Sequence, residues 1–176
     1  MDEPAAAVIR ILARRRIPIG FLAAVLVLAL AVPSWVTWTA GLLTACAGEA
    51  IRIWAAGHLE KGREVTRSGP YRFTGHPLYV GSTVIAGGVA LAAQSALVAA
   101  LIAVYMGLTI AAAVRTEEAD LRRAFGSVYE DYLASRAAPM ARRFSLARAR
   151  RNREYRAVVG LVAGFALLAL KIVTRP

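Results

Sequence analysis

Five apolar runs, at about 18–38, 40–55, 78–93, 96–114 and 157–173, constrain this chain more than any other feature. A helix crosses the hydrocarbon core of a bilayer with about 20 apolar residues. The first run reaches that length and the others lie near its lower limit. A soluble domain of 176 residues does not carry 58% hydrophobic residues and a mean hydropathy of +0.52. The first run is also too long and too poorly flanked to be a cleaved signal peptide. The sequence therefore predicts one all-α integral membrane domain over 1–176, with about five transmembrane helices.

The net charge of +11 is distributed by loop. Arg10, Arg14, Arg15 and Arg16 precede the first run. Lys61, Arg63, Arg67 and Arg72 lie between the second and third. A run of arginines from Arg115 to Arg156 lies between the fourth and fifth. The connections Pro33–Thr39 and Ala93–Ser95 carry no charge. Basic and neutral loops in alternation are what the positive-inside rule produces. The N-terminus is accordingly expected inside and the C-terminus outside, with Lys171 and Arg175 as exceptions. This distribution leaves no reason to invoke nucleic acid as a partner. Arg142, Arg143, Arg148, Arg150, Arg151, Arg153 and Arg156 read as an anchor before a last, added span at about 157–173. The Ala/Arg-heavy composition suggests a bacterial protein, and hence the cytoplasmic membrane.

Local signals divide the polar parts. Pro33-Ser34 marks a hairpin turn between the first two spans. Gly81, Gly87 and Gly88 permit close helix contact along the third. Glu49 and Arg52 are three apart on the second and can form a local ion pair. From Arg115 to about Arg136 the pattern is amphipathic, as in a helix lying along the membrane surface, with a break expected at Gly126 and an end at Pro139. Cys46 reads as a packed apolar side chain.

The segment Gly69-Pro70-Tyr71-Arg72-Phe73-Thr74-Gly75-His76-Pro77-Leu78-Tyr79 carries the chemistry. Pro77 suits the first position of a helix, so the third span begins there with free N–H groups and the positive end of its dipole. That end, with His76, suits a carboxylate. The tight connection Ala93-Gln94-Ser95 returns the chain antiparallel, so Glu117-Glu118 comes back to the same face. A carboxylate beside a helix N-terminus matches a zwitterionic amino-acid moiety: His76 and the helix end for its carboxylate, Glu117 for its ammonium. Two histidines without a second ligand at short spacing do not make a zinc site, so no metal is expected.

These residues resemble the isoprenylcysteine carboxyl methyltransferase and phospholipid methyltransferase superfamily of integral membrane enzymes. The matching residues are Gly69-Pro70-Tyr71, His76-Pro77-Leu78-Tyr79, Glu117-Glu118, Leu121, Phe125-Gly126, Tyr129 and Tyr132, and the resemblance covers about 48–140. It implies an S-adenosylmethionine-dependent methyltransferase with its cofactor site at the cytoplasmic face. It assigns cofactor contacts to Tyr71, His76, Pro77, Leu78, Tyr79 and Glu117. The acceptor it implies is a carboxylate or amine of a lipophilic substrate; the alternatives are a phospholipid N-methyltransferase or a non-catalytic protein that retains the scaffold. The family's Arg before the His is Gly75 here. Its substrate-side Arg corresponds to Ala113, and Arg115 is the nearest replacement and the expected catalytic residue.

Overall fold

The computed structural model describes residues 20, 22–138 and 140–175. The N-terminal arginines and Pro139 lie outside these. The described residues are helical and form no strand. Helical residues 22–30 (α1) are followed by α2 (Trp35–Ala56), a single 3-10 turn (Gly69–Arg72), α3 (Pro77–Ala93) and α4 (Ala96–Phe125). Three more helices complete the chain: α5 (Ser127–Leu133), α6 (Leu146–Arg151) and α7 (Tyr155–Val173).

The turn expected at Pro33-Ser34 is present, but it divides the first apolar run. Residues 31–34 are not helical, and Ser34 caps α2 in a capping box with Thr37. Trp35 to Thr39 therefore opens the second helix and does not close the first. The stronger N-cap won over hydrophobic continuity.

α2 and α3 pack antiparallel along small residues. A Cβ on Gly41 would lie 2.4 Å from the Gly88 carbonyl, and one on Gly48 would lie 2.7 Å from that of Gly81. Backbones this close supply the dispersion contacts that hold helices together in lipid, where apolar burial alone gives little. Gly87, expected at such a contact, has nothing near its Cβ position and faces outward. One residue of helical phase separates it from Gly88.

Two described helices, α4 and α7, are long and apolar enough to cross a membrane; α3 is apolar but has 17 residues. Length and composition thus qualify two of the five expected spans. Large apolar side chains stand exposed along several helices, among them Val36, Leu43, Val104 and Val159, a surface that suits lipid better than water.

The expected surface helix does not begin at Arg115. α4 continues through it without interruption for 30 residues, about 45 Å against a hydrocarbon core of about 30 Å. A slab of that thickness is shorter than α4 and would leave its last turns, with Glu117 and Glu118, outside. The break comes where Gly126 allows it, at φ 48° and ψ −122°.

α7 returns beside α2. The Trp38 indole donates to the Phe165 carbonyl at 2.9 Å and meets that ring edge-on. The Lys171 ammonium donates to the carbonyls of Leu28 and Ala29, at the end of α1. A cation at a helix C-terminus is favourable, which explains one exception to the charge pattern. The expected Glu49–Arg52 ion pair is present, but it is the looser of two that Arg52 makes. Its Nε donates to Glu154 just before α7 at 2.6 Å, while Glu49 stays 3.8 Å away and neither of its oxygens has a hydrogen-bond partner.

Candidate active site

The turn that precedes α3 is built from the chain's own local chemistry. Gly69 sits at φ 57°, a conformation that favours glycine, and a Cβ there would strike the buried His58 ring at 2.5 Å. His58 bonds Ser68 through Nδ1 at 3.0 Å. Burial, followed by Arg148, Arg142 and Arg72, pushes its pKa down, so it serves as a neutral packing residue. Across the turn, the Tyr132 hydroxyl donates to the Tyr71 carbonyl at 2.8 Å and approaches that of Thr74 at 3.3 Å. The second motif half thereby fixes the first.

His76 is the N-cap of α3 and Pro77 its first residue, as the sequence predicts. No side chain caps this helix end; Pro77 has no N–H and those of Tyr79 and Val80 donate to the His76 carbonyl, so the N–H of Leu78 is the one that faces a ligand without a bond of its own. Arg52 ties the first two turns of α3 to α2, donating to Ser82 Oγ and, at 3.4 Å, to the Leu78 carbonyl.

α4 then brings both glutamates to His76. Glu117 Oε2 lies 3.7 Å from Nδ1 and Glu118 Oε1 lies 3.4 Å from Nε2. Glu117 does most to raise the His76 pKa, acting across 3.7 Å as a charge and not a hydrogen bond. Burial opposes it and Glu118 adds to it. The buried Nδ1 has no hydrogen-bond partner. Glu118 also pairs with Arg122 at 3.3 Å, so it is no solvated bystander.

His76 and Glu117 open onto one cavity of about 480 Å³, within the range of small-molecule sites. Tyr71, His76, Pro77, Leu78, Tyr79 and Glu117 all line it. The loop after α2 contributes Lys61, Glu64 and Thr66, and α4 contributes Thr109, Ala113, Thr116 and Asp120. Arg115 is exposed and does not line the cavity. It lies two residues, about 200° of helix, from Ala113, which does.

Tyr129 is the wall residue that sequence reasoning left without a role. It is 1% exposed, and its hydroxyl has no hydrogen-bond partner. Burial, with Glu118 next, pushes its pKa up to about 12, so it stays protonated and able to donate. Its place in the motif was a signal, but nothing in the spacing said that its hydroxyl would be unpaired. Taken together, the cavity offers an uncapped helix end, a histidine held toward its cationic form, an unpaired hydroxyl and a carboxylate. A ligand with an anionic and a cationic group a few ångströms apart fits that set.

Residues 50–128 match the family model for phospholipid methyltransferase. No curated protein and no solved structure matches the chain. The matched stretch runs from the end of α2 through Tyr71, His76 and Glu117 to the start of α5, and so contains most of the cavity wall. Over that stretch the chain is similar to the phospholipid methyltransferase family, consistent with the wider superfamily of integral membrane methyltransferases that its motifs resemble.

Proposed function

We propose that this chain is an S-adenosylmethionine-dependent membrane methyltransferase whose acceptor is an amine on a lipophilic substrate. One observation carries the reading. The two motif halves, far apart in sequence, meet at a single cavity with Tyr71, His76 to Tyr79 and Glu117 on its wall. The uncapped start of α3 and the unpartnered Nδ1 of His76 suit the cofactor's carboxylate. Glu117 suits its ammonium. The rings of Tyr71, Tyr79 and Tyr132 suit its cationic sulfonium.

The acceptor follows from charge. Where a family arginine would face a substrate carboxylate, the wall has Ala113. The acidic side chains Glu117 and Asp120 are close by on α4. A carboxylate substrate would meet like charge on α4 where the family arginine is missing, whereas an amine would be attracted there. The cofactor supplies a methyl group activated on a cationic sulfur. The chain's own part is to hold the amine in line with that group, exclude water and accept the proton that the amine gives up. Asp120, on the wall and open to solvent, is placed to pass it on.

We further infer five spans in a bacterial cytoplasmic membrane, with the cavity at the cytoplasmic face. Supporting this, the cavity lies at the start of α3, beside the basic loop that follows α2. Calorimetry of purified protein in detergent tests the first step: a folded sample without S-adenosylmethionine binding would end the reading. Incubation with labelled cofactor and total membrane lipid tests the second. Label on a lipid amine supports it; label on an ester overturns the choice of acceptor; binding without any labelled product favours a retained, non-catalytic scaffold.

A further inference from the structure

The segment from Met140 to Glu154 lies beyond the matched 50–128, yet it grips one wall of the cavity. Arg142 meets Glu64 with both terminal nitrogens, Nη2 to Oε2 at 2.8 Å, and also donates to the His58 carbonyl at 3.2 Å. Arg148 donates through Nε to Glu60 at 2.7 Å and through Nη1 to the Gly57 carbonyl. Asn152 Nδ2 reaches the carbonyls of Ala56 and Leu59 at 2.8 and 2.9 Å. The Phe144 ring fills the space where a Cβ on Gly57 would stand, 2.2 Å from its nearest atom. Among the arginines interleaved with these, Arg143 and Arg150 are exposed and carry no ion pair. The cluster therefore divides into residues that face inward onto carboxylates and residues that do not.

What the inward arginines hold is the 59–66 loop, whose Leu59, Lys61, Glu64, Val65 and Thr66 line the cavity. Within itself this loop has little order. Its internal bonds are Arg63 N to the Glu60 carbonyl at 3.2 Å and Glu60 N to Thr66 Oγ1 at 3.3 Å, and Gly62 sits at φ 71°. A loop with so few bonds of its own is ordered by what it packs against.

Resting on the methyl-donor reading above, we propose that Arg142 and Arg148 are positioning residues of the cofactor cavity, acting through Glu64 and Glu60. They hold the loop as a preformed wall, so that the cofactor does not have to order it on binding. Arg142 also neutralises a carboxylate that would otherwise face the ligand unpaired. The C-terminal part of the chain thereby takes part in the site and is more than an anchor.

The test uses the full chain in detergent, with Arg142→Gln, Arg142→Lys and, as control, Arg143→Gln. S-adenosylmethionine affinity is read by calorimetry, and trypsin cleavage after the exposed Lys61 by mass spectrometry. Arg142→Gln is expected to weaken cofactor binding about tenfold and to speed cleavage at Lys61. Arg142→Lys falls between, because an ammonium cannot form the two-pronged contact, and Arg143→Gln matches the parent protein. Cleavage at an unchanged rate overturns the proposal; faster cleavage with unchanged affinity overturns it too, leaving only a structural strap. If the parent protein binds no cofactor, the donor reading falls, and the cleavage rates alone decide whether the clamp exists. Should Arg142→Gln not fold, Glu64→Gln removes the same pair from the other side; because Glu64 itself lines the cavity, that variant is read by cleavage at Lys61, where an unchanged rate overturns the proposal.

Discussion

His76 Nε2 lies 3.4 Å from a carboxylate oxygen of Glu118, the neighbour of the expected ligand Glu117. Successive helical residues point about 100° apart, so one of the two would ordinarily face away. Here the imidazole lies between them and uses a different nitrogen for each. Glu118 thus acts on the site through His76, and Glu117 acts both through His76 and from the cavity wall.

The two glutamates should therefore differ in degree and not in kind. Glu117→Gln is expected to weaken cofactor binding roughly tenfold to a hundredfold, the loss of a charge-assisted hydrogen bond of about 1.5–3 kcal/mol. Glu118→Gln should weaken it by a few-fold through the loss of one support for His76. Calorimetric titration of both variants checks this. Wild-type affinity in Glu117→Gln would remove it from the site.

The raised pKa of His76 sets a direction for pH dependence. Its protonated form is favoured in the folded protein, so the stabilisation is complete below the ordinary histidine value of about 6.5. It disappears as pH rises through the higher folded value. Melting temperatures measured across pH 5 to 9 for the parent and for His76→Gln should differ most at the acidic end and converge at the alkaline end. A gap that widens with pH would contradict the assignment.

The start of α3 and the break in α4 were legible in the sequence because their causes are local: Pro77 after His76 and Gly126 after Phe125; the start of α2 at Trp35 was not, because the apolar run over 18–38 passes through it. The meeting of Tyr71, His76 and Glu117 was legible because a tight hairpin leaves few ways to return. What could not be read is set by partners distant in sequence. Arg142 and Arg148 look like any basic juxtamembrane residue until Glu64 and Glu60 are found beside them. Gly87 and Gly88 differ only in which one the packing phase turns toward α2. Likewise Arg115 looked closest to the missing family arginine by number, but the helix turns it away from the cavity.

The α2–α3 seam gives a matched pair of substitutions. Gly48→Val must displace the Gly81 carbonyl and the backbone of Ile85, and overpacking of this kind costs about 1–3 kcal/mol. Gly87→Ala meets nothing and gains up to about 1 kcal/mol of helix propensity. Thermal unfolding in detergent should fall for the first and hold or rise for the second.

Gly75 lines the cavity, and a Cβ there would stand 4.0 Å from the Tyr132 ring and hydroxyl, an ordinary contact. Gly75→Arg should fold normally and place a cation beside the expected carboxylate pocket, as in the pattern these motifs resemble. S-adenosylmethionine should bind more tightly by a few-fold, an exposed charge contact being worth about 1 kcal/mol or less. Weaker binding in a folded variant would mean that the carboxylate does not lie at this end of the cavity.

Tyr129 offers the sharpest separation of stability from function. Its hydroxyl is buried and unpaired, which costs the ligand-free protein about 1–3 kcal/mol. Tyr129→Phe removes that atom and keeps the ring, including its packing under the Arg122 guanidinium at 5.8 Å. The variant should therefore melt at a higher temperature than the parent when no ligand is present. If the hydroxyl donates to a bound ligand, the same change should weaken cofactor or substrate binding, so that saturating ligand raises the melting temperature of the variant less than that of the parent. Both shifts are read in one set of thermal unfolding curves, with and without S-adenosylmethionine and lipid substrate. A lower melting temperature for ligand-free Tyr129→Phe would mean that the hydroxyl already has a partner in the folded protein, and the case for it as a ligand contact would fail.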